Sequence, residues 1–551
     1  MNGAELVAEI IKREGTGFLA CYPRNPLIEA CAALDIRPVL CRQERVGVGM
    51  ADGYSRVTGG RKNGVFAAQH GPGIENAFPG VAQAFSENVP LLVIPAGSPM
   101  PRQYQHPTFR AAEVFAPVTK WSAMAHAVEE LPDLMRRAYQ AMRSGKPGPV
   151  LLEVPKEVFD AKFNGKLDYV PVAFQRMAPD PKAVREAARM LLAAKNPLIW
   201  VGQGVRYADA ADQVVALAEM LPAPVAATNP GKSAIADSHP LALGGSTRSR
   251  SKMYTEFMRR ADVVFAVGSS LTATSFGPGV PKGKTIIHST NDPSDINKDY
   301  RADCAVGGDA ALVLEALIEE IGRQRKGTKD GAKALSTLKT EIATIKSAWL
   351  EEWRHQLESN EVPINQYRVI SEMMRTLKRD DVIITHDSGS PREQLLPFWE
   401  TTKAHSYLGW GKSTQLGYGL GLIMGAKLAA PDKLCINVMG DSSFGMTGLD
   451  IETAARNRIG ILTIVFNNGV MAAERDVLQL STEKYGALDV GGNYSKLAEA
   501  LGVASRRVTR PDDIASALKE AVTTTESGAP YLLEFVVKEG YEFSRYNLEG
   551  L

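Results

Sequence analysis

Short apolar runs alternate along this chain with stretches whose apolar residues recur at helical spacing. Up to Gly165 the runs are GFLACYP, RPVLCR, GVFAAQH, PLLVIPAG and PVLLEVP. Runs of this length between helices predict strands of a parallel sheet covered on both faces. The polar, proline-bearing stretch from Gly165 to Lys182 reads as a linker. The alternation resumes with NPLIWVGQG, APVAAT, ADVVFAVGSS, KTIIHST and CAVGGD, and residues 323–360 then turn rich in Lys, Glu, Ala and Gln with helical spacing. A last unit carries DVIITHDSG, HSYLGWG, KLCINVMGD, GILTIVFNNG and APYLLEFVV. The pattern predicts an α/β protein of three doubly wound parallel-sheet domains, over 1–165, 183–323 and 361–551, with a helical connection before the third. No short repeat period points to a solenoid.

Composition narrows the function classes. Lys and Arg number 63 and Asp and Glu 62, a net charge of +1, so no excess of one sign is available for nucleic acid or an anionic membrane. Apolar residues make up 44% and charged residues 23%, as in ordinary globular proteins. The five cysteines lack a C-x-x-C pair, which argues against a zinc site or a disulfide framework and fits a reducing, cytoplasmic setting. The opening MNGAELVAEIIKREGTG carries charges within its apolar stretch and reads as an amphipathic helix, not a signal peptide.

The most informative segment is KLCINVMGDSSFGMTGLDIETAARNRIGILTIVFNNGV, residues 433–470. A strand, helix and strand joined by a right-handed crossover put both strand ends on one sheet edge, which makes Asp441 and Asn468 neighbours. With the main-chain carbonyl of Val470 they form an incomplete set of hard oxygen ligands, the kind Mg2+ accepts while keeping water and phosphate oxygens. Ser442 and Ser443, placed just before a helix after Gly440, offer an anion-binding turn. Ser388, Gly389 and Ser390, after the strand of THDSGSPRE, offer a second.

The run GDSSF, followed by one helix and a strand ending in NNG, resembles the signature of thiamine diphosphate enzymes. That resemblance implies thiamine diphosphate and Mg2+ as cofactors. It also implies a first-domain glutamate, which the segment RQERVGVGMADGYSRVTG places at Glu44, with Gln43 where the family usually has histidine. In the family this glutamate hydrogen-bonds the aminopyrimidine ring, so that the ring's amino group can deprotonate the thiazolium. GWGKSTQLGYGLGLIMGAKLA is similar to the family's glycine-rich helix start. It puts Leu416 under the bend of the cofactor and gives the Thr414 carbonyl to the amino group. AQHGPGIENAFPGVAQAF resembles the turn that faces the reacting centre, with His70 replacing serine and Gln69 before it; either could hold a substrate oxygen or relay a proton. Arg24 and Asn25 stand where relatives carry glycines and are read either as lining the substrate pocket or as a surface turn.

The likeness extends over the chain as pyrimidine-binding, middle and diphosphate-binding domains, and is nearest the acetohydroxyacid synthase and 2-hydroxyacyl-CoA lyase branch. There the glutamate and the diphosphate site come from different subunits, which implies a homodimer or homotetramer. The middle domain lacks the family's FAD-binding arginine motif. It keeps glycine turns and the cations Arg248, Arg250 and Lys282, so FAD, an ADP or coenzyme A head group, or a solvated basic face remain alternatives. After NNG the glutamine–tryptophan pair typical of the synthases is absent. The expected activity is a non-oxidative C–C lyase or carboligase for a 2-oxo acid or 2-hydroxyacyl-CoA, of the 2-hydroxyacyl-CoA lyase or oxalyl-CoA decarboxylase kind. An acetolactate-forming synthase and a flavin-linked pyruvate oxidase type are the alternatives. The tail YEFSRYNLEGL, with Tyr541, Phe543 and Tyr546, is expected to fold over the site as a lid.

Overall fold

The computed structural model describes residues 1–277, 279–325, 331–540 and 542–548. It contains three six-stranded sheets, parallel throughout. The first holds β1 (Phe18–Cys21), β2 (Arg37–Leu40), β3 (Gly64–Ala68), β4 (Leu91–Gly97), β5 (Trp121–Met124) and β6 (Val150–Pro155), in the order β2-β1-β3-β4-β6-β5. The second holds β7 (Pro197–Val201), β8 (Val225–Thr228), β9 (Ala242–Ser246), β10 (Val263–Val267), β11 (Thr285–Thr290) and β12 (Cys304–Gly307), ordered β12-β11-β10-β7-β8-β9. The third holds β13 (Val382–His386), β14 (Tyr407–Leu408), β15 (Leu434–Gly440), β16 (Ile461–Asn467), β17 (Ala504–Val508) and β18 (Tyr531–Val536), ordered β14-β13-β15-β16-β18-β17. The first and third sheets therefore share one topology, and the middle sheet has another.

In each sheet the strand order reverses at a central pair, between β1 and β3, between β7 and β10, and between β13 and β15, and in the first and third sheets the last two strands are exchanged as well. Ligands of open parallel sheets bind at the carboxyl ends of the strands at such a reversal. Those ends lead into Gln69–His70, into Gly202 and Gly268, and into Asp387–Ser390 and Asp441. Topology alone thus singles out three places.

The first and third domains share a core. Val46, Val48 and Met50 of helix Glu44–Val57 pack in one buried cluster with Leu420, Leu422 and Met424 of helix Tyr418–Ala429. Glycine permits the approach: a Cβ on Gly53 would stand 1.9 Å from the Leu422 carbonyl oxygen, and one on Gly425 2.0 Å from that of Met50. The fully buried Asp52–Arg56 pair closes the seam. Tyr418 Oη donates to Asp52 at 2.9 Å, and Arg56 Nη1 donates to the Gly409 carbonyl at 3.0 Å.

Helix Gly331–Glu352 connects the middle and third domains. Segment 542–548, expected as a lid, is instead a strap across this connection. Ser544, fully buried, donates to the Arg250 carbonyl at 2.7 Å and accepts from Trp349 Nε1 at 3.2 Å, while Arg250 N donates back to the Ser544 carbonyl at 2.8 Å. Tyr546 packs on the third-domain core and Leu548 on the middle one, whereas Tyr541 lies outside the described residues. Burying these apolar groups against two domains fixes the course of the tail. Among the described residues, no helix is long and apolar enough to cross a membrane.

Candidate active site

Glu44 opens its helix and is 4% exposed. Burial raises its carboxyl pKa above the ordinary range, against the hydrogen bond it makes with the Asn76 side chain. The Glu44 Oε1 atom lies 3.5 Å from where a Cβ on Gly73 would stand, so the carboxyl sits at the start of helix Pro72–Ser86. Gln69 is half-buried beside Gly73, and His70 is exposed on the same turn. Glu44, Gln69, His70 and Asn76 thus gather on one edge of the first sheet. Asn76 carries no role in the sequence reading, although it is the asparagine of the quoted GPGIEN pattern.

Asn25 settles differently from the pocket reading. It is 5% exposed, its amide donates to the carbonyls of Ala68 and Ile94 at 3.0 and 2.9 Å, and its oxygen accepts from Leu27 N. It clamps the end of β3 to the middle of β4 just before Gln69, because a buried amide must satisfy both its ends. Arg24 points to solvent.

In the third domain, Asp441 is 2% exposed and begins helix Asp441–Thr447 after Gly440. Ser442 and Ser443 accordingly lie within the first helical turn, not before it. One Asp441 oxygen accepts from Ser442 N at 2.7 Å. The other accepts from Asn468 N at 3.1 Å and Gly469 N at 2.8 Å. Burial holds the Asp441 carboxyl above its usual pKa despite these donors, and among the described residues it has no ion-pair partner. Asn468 Oδ1 accepts from Val470 N at 3.1 Å, and the Val470 carbonyl accepts from Ala472 N at 2.9 Å. A buried carboxylate without a counter-charge, beside an amide oxygen and a loop carbonyl, fits a hard divalent cation with free positions. Clustering of His, Cys, Asp and Glu does not mark this site, since among the described residues no such trio is poised for a metal.

Asp387 organises the remaining pieces. It is fully buried, and its Oδ1 accepts from Ser388 N at 2.8 Å and Gly417 N at 2.9 Å. Its Oδ2 accepts from Gly419 N at 2.9 Å, and the Ser443 side chain also bonds it. One carboxylate therefore ties the Ser388–Ser390 turn, the Thr414–Gly417 loop and the Asp441 helix together. Gly389, at φ +89°, caps helix Ser390–Phe398 in a conformation that favours glycine. Ser443 is spent on Asp387, which leaves Ser442 and main-chain N–H groups for an anion. Thr414 and Leu416 are half-buried; between them Gln415 reaches the Pro79 carbonyl of the first domain. Asp387 lies within THDSGSPRE, and its place just after a buried strand is the local signal that marks it.

The two halves of the site are moored within one chain. Asp450 accepts from Arg42 N at 2.7 Å and Gln43 N at 3.1 Å, and Arg45 Nη2 donates to the Met446 carbonyl at 2.7 Å. The bonds described for the Glu44 carboxyl stay within the first domain.

The third sequence-derived region, the middle sheet, opens onto a cavity lined also by Arg392, Gly411 and Lys412 of the third domain. Arg250, expected to meet a head group, is buried and donates to the carbonyls of Thr247, Arg248 and Tyr546, so it serves the strap. Arg248 and Lys282 are exposed.

Comparison with known proteins matches all three domains to one family. Residues 1–114 match the thiamine pyrophosphate enzyme N-terminal TPP binding domain, 184–317 the central domain and 387–535 the C-terminal TPP binding domain. The probable acetolactate synthase large subunit of Methanococcus aeolicus is 28% identical over 98% of this chain and 92% of its own length. That of Methanocaldococcus jannaschii is 29% identical over the same shares. The acetolactate synthase isozyme 3 large subunit of Escherichia coli is 27% identical over 95% of this chain and 92% of its own.

Proposed function

The chain belongs to the thiamine pyrophosphate enzymes, and from that premise we propose that it is a non-oxidative carboligase for 2-oxo acids, using thiamine diphosphate and Mg2+ as an acetolactate-forming synthase does. The relatives named above favour this over the lyase reading. The observation that carries it is the pairing of a buried Glu44, whose carboxyl pKa burial raises, with a buried Asp441 that has no ion-pair partner among the described residues. Asp441, the Asn468 amide oxygen and the Val470 carbonyl would hold Mg2+. Ser442 and the N–H groups of the Ser388–Ser390 turn would hold the diphosphate. Thr414 would offer its carbonyl and Leu416 its side chain to the pyrimidine half. The bound coenzyme supplies an electron sink for the carbanion equivalent of a 2-oxo acid. Burial disfavours charge on Glu44 and raises its pKa, which favours the hydrogen bond its carboxyl would make with a ring nitrogen. Gln69 and His70 stand where they can orient a substrate oxygen.

The bonds described for Glu44 run only to its own domain, and we take the working unit to be a homodimer, or a tetramer of two, in which a partner's third domain completes each site. A second reading, a 2-hydroxyacyl-CoA lyase, is favoured by the middle sheet. Its order follows the dinucleotide-binding pattern, and its cavity suits an ADP or coenzyme A head group as well as FAD. The test is calorimetric titration of thiamine diphosphate with and without Mg2+, followed by turnover on 2-oxo acids and acyl-CoA thioesters with products identified by mass spectrometry. Acetolactate-type products support the proposal, and formyl-CoA selects the lyase. Cofactor uptake that is indifferent to Mg2+ and to Asp441→Asn would overturn the site.

A further inference from the structure

The cavity between the three domains has an unbalanced wall. Four cationic side chains line it, Arg143, Lys146, Arg392 and Lys412, against the carboxylates Asp295 and Asp309. Arg143 is paired with Glu14 at 2.8 Å, and Lys146 with Asp292 at 2.7 Å and Asp295 at 3.0 Å. Arg392, 4% exposed, uses its Nε on Glu393 at 3.0 Å, while its buried Nη1 has no hydrogen-bond partner. Lys412 has no carboxylate within ion-pair reach among the described residues; its Nζ donates only to Ser270 Oγ, at 3.2 Å. Burial lowers its pKa against the attraction of the Glu87 and Asp295 carboxylates, neither of which forms an ion pair with it.

Both groups lie on segments that also carry candidate cofactor-binding residues. Lys412 precedes Thr414 by two residues on the loop that also carries Leu416, and Arg392 follows Ser390 by two on its helix. A buried guanidinium N–H and an ammonium, both in want of an acceptor, suit a carboxylate. Of the two 2-oxo acids joined in a carboligation, the donor sheds its carboxylate as CO2 and the acceptor keeps its own. Gripping the donor's carboxylate would stabilise the ground state that must be left, whereas gripping the acceptor's lasts through the new C–C bond.

We propose that Lys412 and Arg392 bind the carboxylate of the second, acceptor substrate, which reaches the reacting centre through the interdomain cavity. The assignment rests on the carboligase reading above. The acceptor's carbonyl π bond opens as its carbon takes the new bond from the decarboxylated donor, its oxygen takes the proton that the donor-derived hydroxyl gives up on becoming the product ketone, and its carboxylate stays ionised against the two cations throughout.

The test uses the full chain loaded with thiamine diphosphate and Mg2+. An unreactive carboxylate, 2-hydroxybutyrate, and separately ADP are titrated by calorimetry into the wild type and into Lys412→Met, Lys412→Arg and Arg392→Lys. The last keeps a cation beside Glu393 while removing the second guanidinium nitrogen. Lys412→Met is expected to weaken 2-hydroxybutyrate about 10- to 100-fold, the loss typical of a charge-assisted hydrogen bond, and Lys412→Arg to recover most of it. The KM for the acceptor acid should rise in step, with a much smaller change in kcat. Unchanged affinity for the hydroxy acid would overturn the proposal. So would a loss confined to ADP, which would assign the cations to a phosphate. Failure of the carboligase reading shows separately, as a wild type that ligates nothing while hydroxy-acid binding still depends on Lys412.

Discussion

The first and third domains share a strand order and meet backbone to backbone, whereas the middle domain has its own order and meets them across a charged cavity. At the first seam glycines remove the side chains that would hold two helices apart, and a buried Asp52–Arg56–Tyr418 network fills what remains. Such a contact tolerates no adjustment, which suits the placing of Glu44 and the Asp387 loops. At the second, polar groups stand without partners and space is left between the walls. One interface fixes geometry and the other leaves room for ligands to differ.

Substitutions can break this contrast. Gly53→Val drives a side chain into the Leu422 carbonyl and is expected to cost roughly 3 kcal/mol or more, lowering Tm by several degrees or abolishing soluble expression. Thr274→Val on the cavity wall should stay within about 0.5 kcal/mol by the same thermal melt. Equal effects would erase the distinction. Glu44→Gln should leave the fold and cofactor uptake in place and lower turnover about 10²- to 10⁴-fold, measured as product formed at saturating substrate. Asp387→Asn sets an amide N–H against a main-chain donor of the Ser388, Gly417 and Gly419 set. It should weaken thiamine diphosphate binding about 10- to 100-fold by calorimetry.

A further effect is a titration. Burial pushes the Asp450 carboxyl up to about 6, although Arg42 N, Gln43 N and Thr453 donate to it. The folded state therefore holds this proton more tightly than the unfolded chain, where a carboxyl ionises near pH ~4. Its contribution is fully present below about pH 4 and is lost as pH rises through about 6. The Tm of the wild type relative to Asp450→Asn should fall across that window and then level off. A flat difference would mean that the seam does not feel this charge.

Much of the contrast was legible in the chain itself. The buried central strands carry continuous apolar runs and are read directly from them. The strands missed are β5, β9 and β17, each at the edge of its sheet. In β5 every residue is half-exposed, and β17 reads ASRRV with one fully buried position, so neither has the apolar run of a strand covered on both faces. β9 is well buried but is written ALGGS, without β-branched or aromatic residues. At the site, the Asp441–Asn468 juxtaposition follows from a crossover rule and is seen. The work of Asp387, Asn76 and Asp450 depends on which loops approach one another, and no local spacing encodes that. Arg250 misled because a cation near glycine turns looks the same in sequence whether it meets an anion or a carbonyl strap.

Ser544 and Tyr546 bond Arg250 and Trp349, which are synthesised about two to three hundred residues earlier. A nascent polypeptide can complete its first two sheets while still tethered to the ribosome, but the clasp between its second and third units must wait until residues 544–546 have emerged. Intermediates stalled before residue 544 emerges should accordingly expose the Trp349 indole face to chaperones and proteases until segment 542–548 covers it.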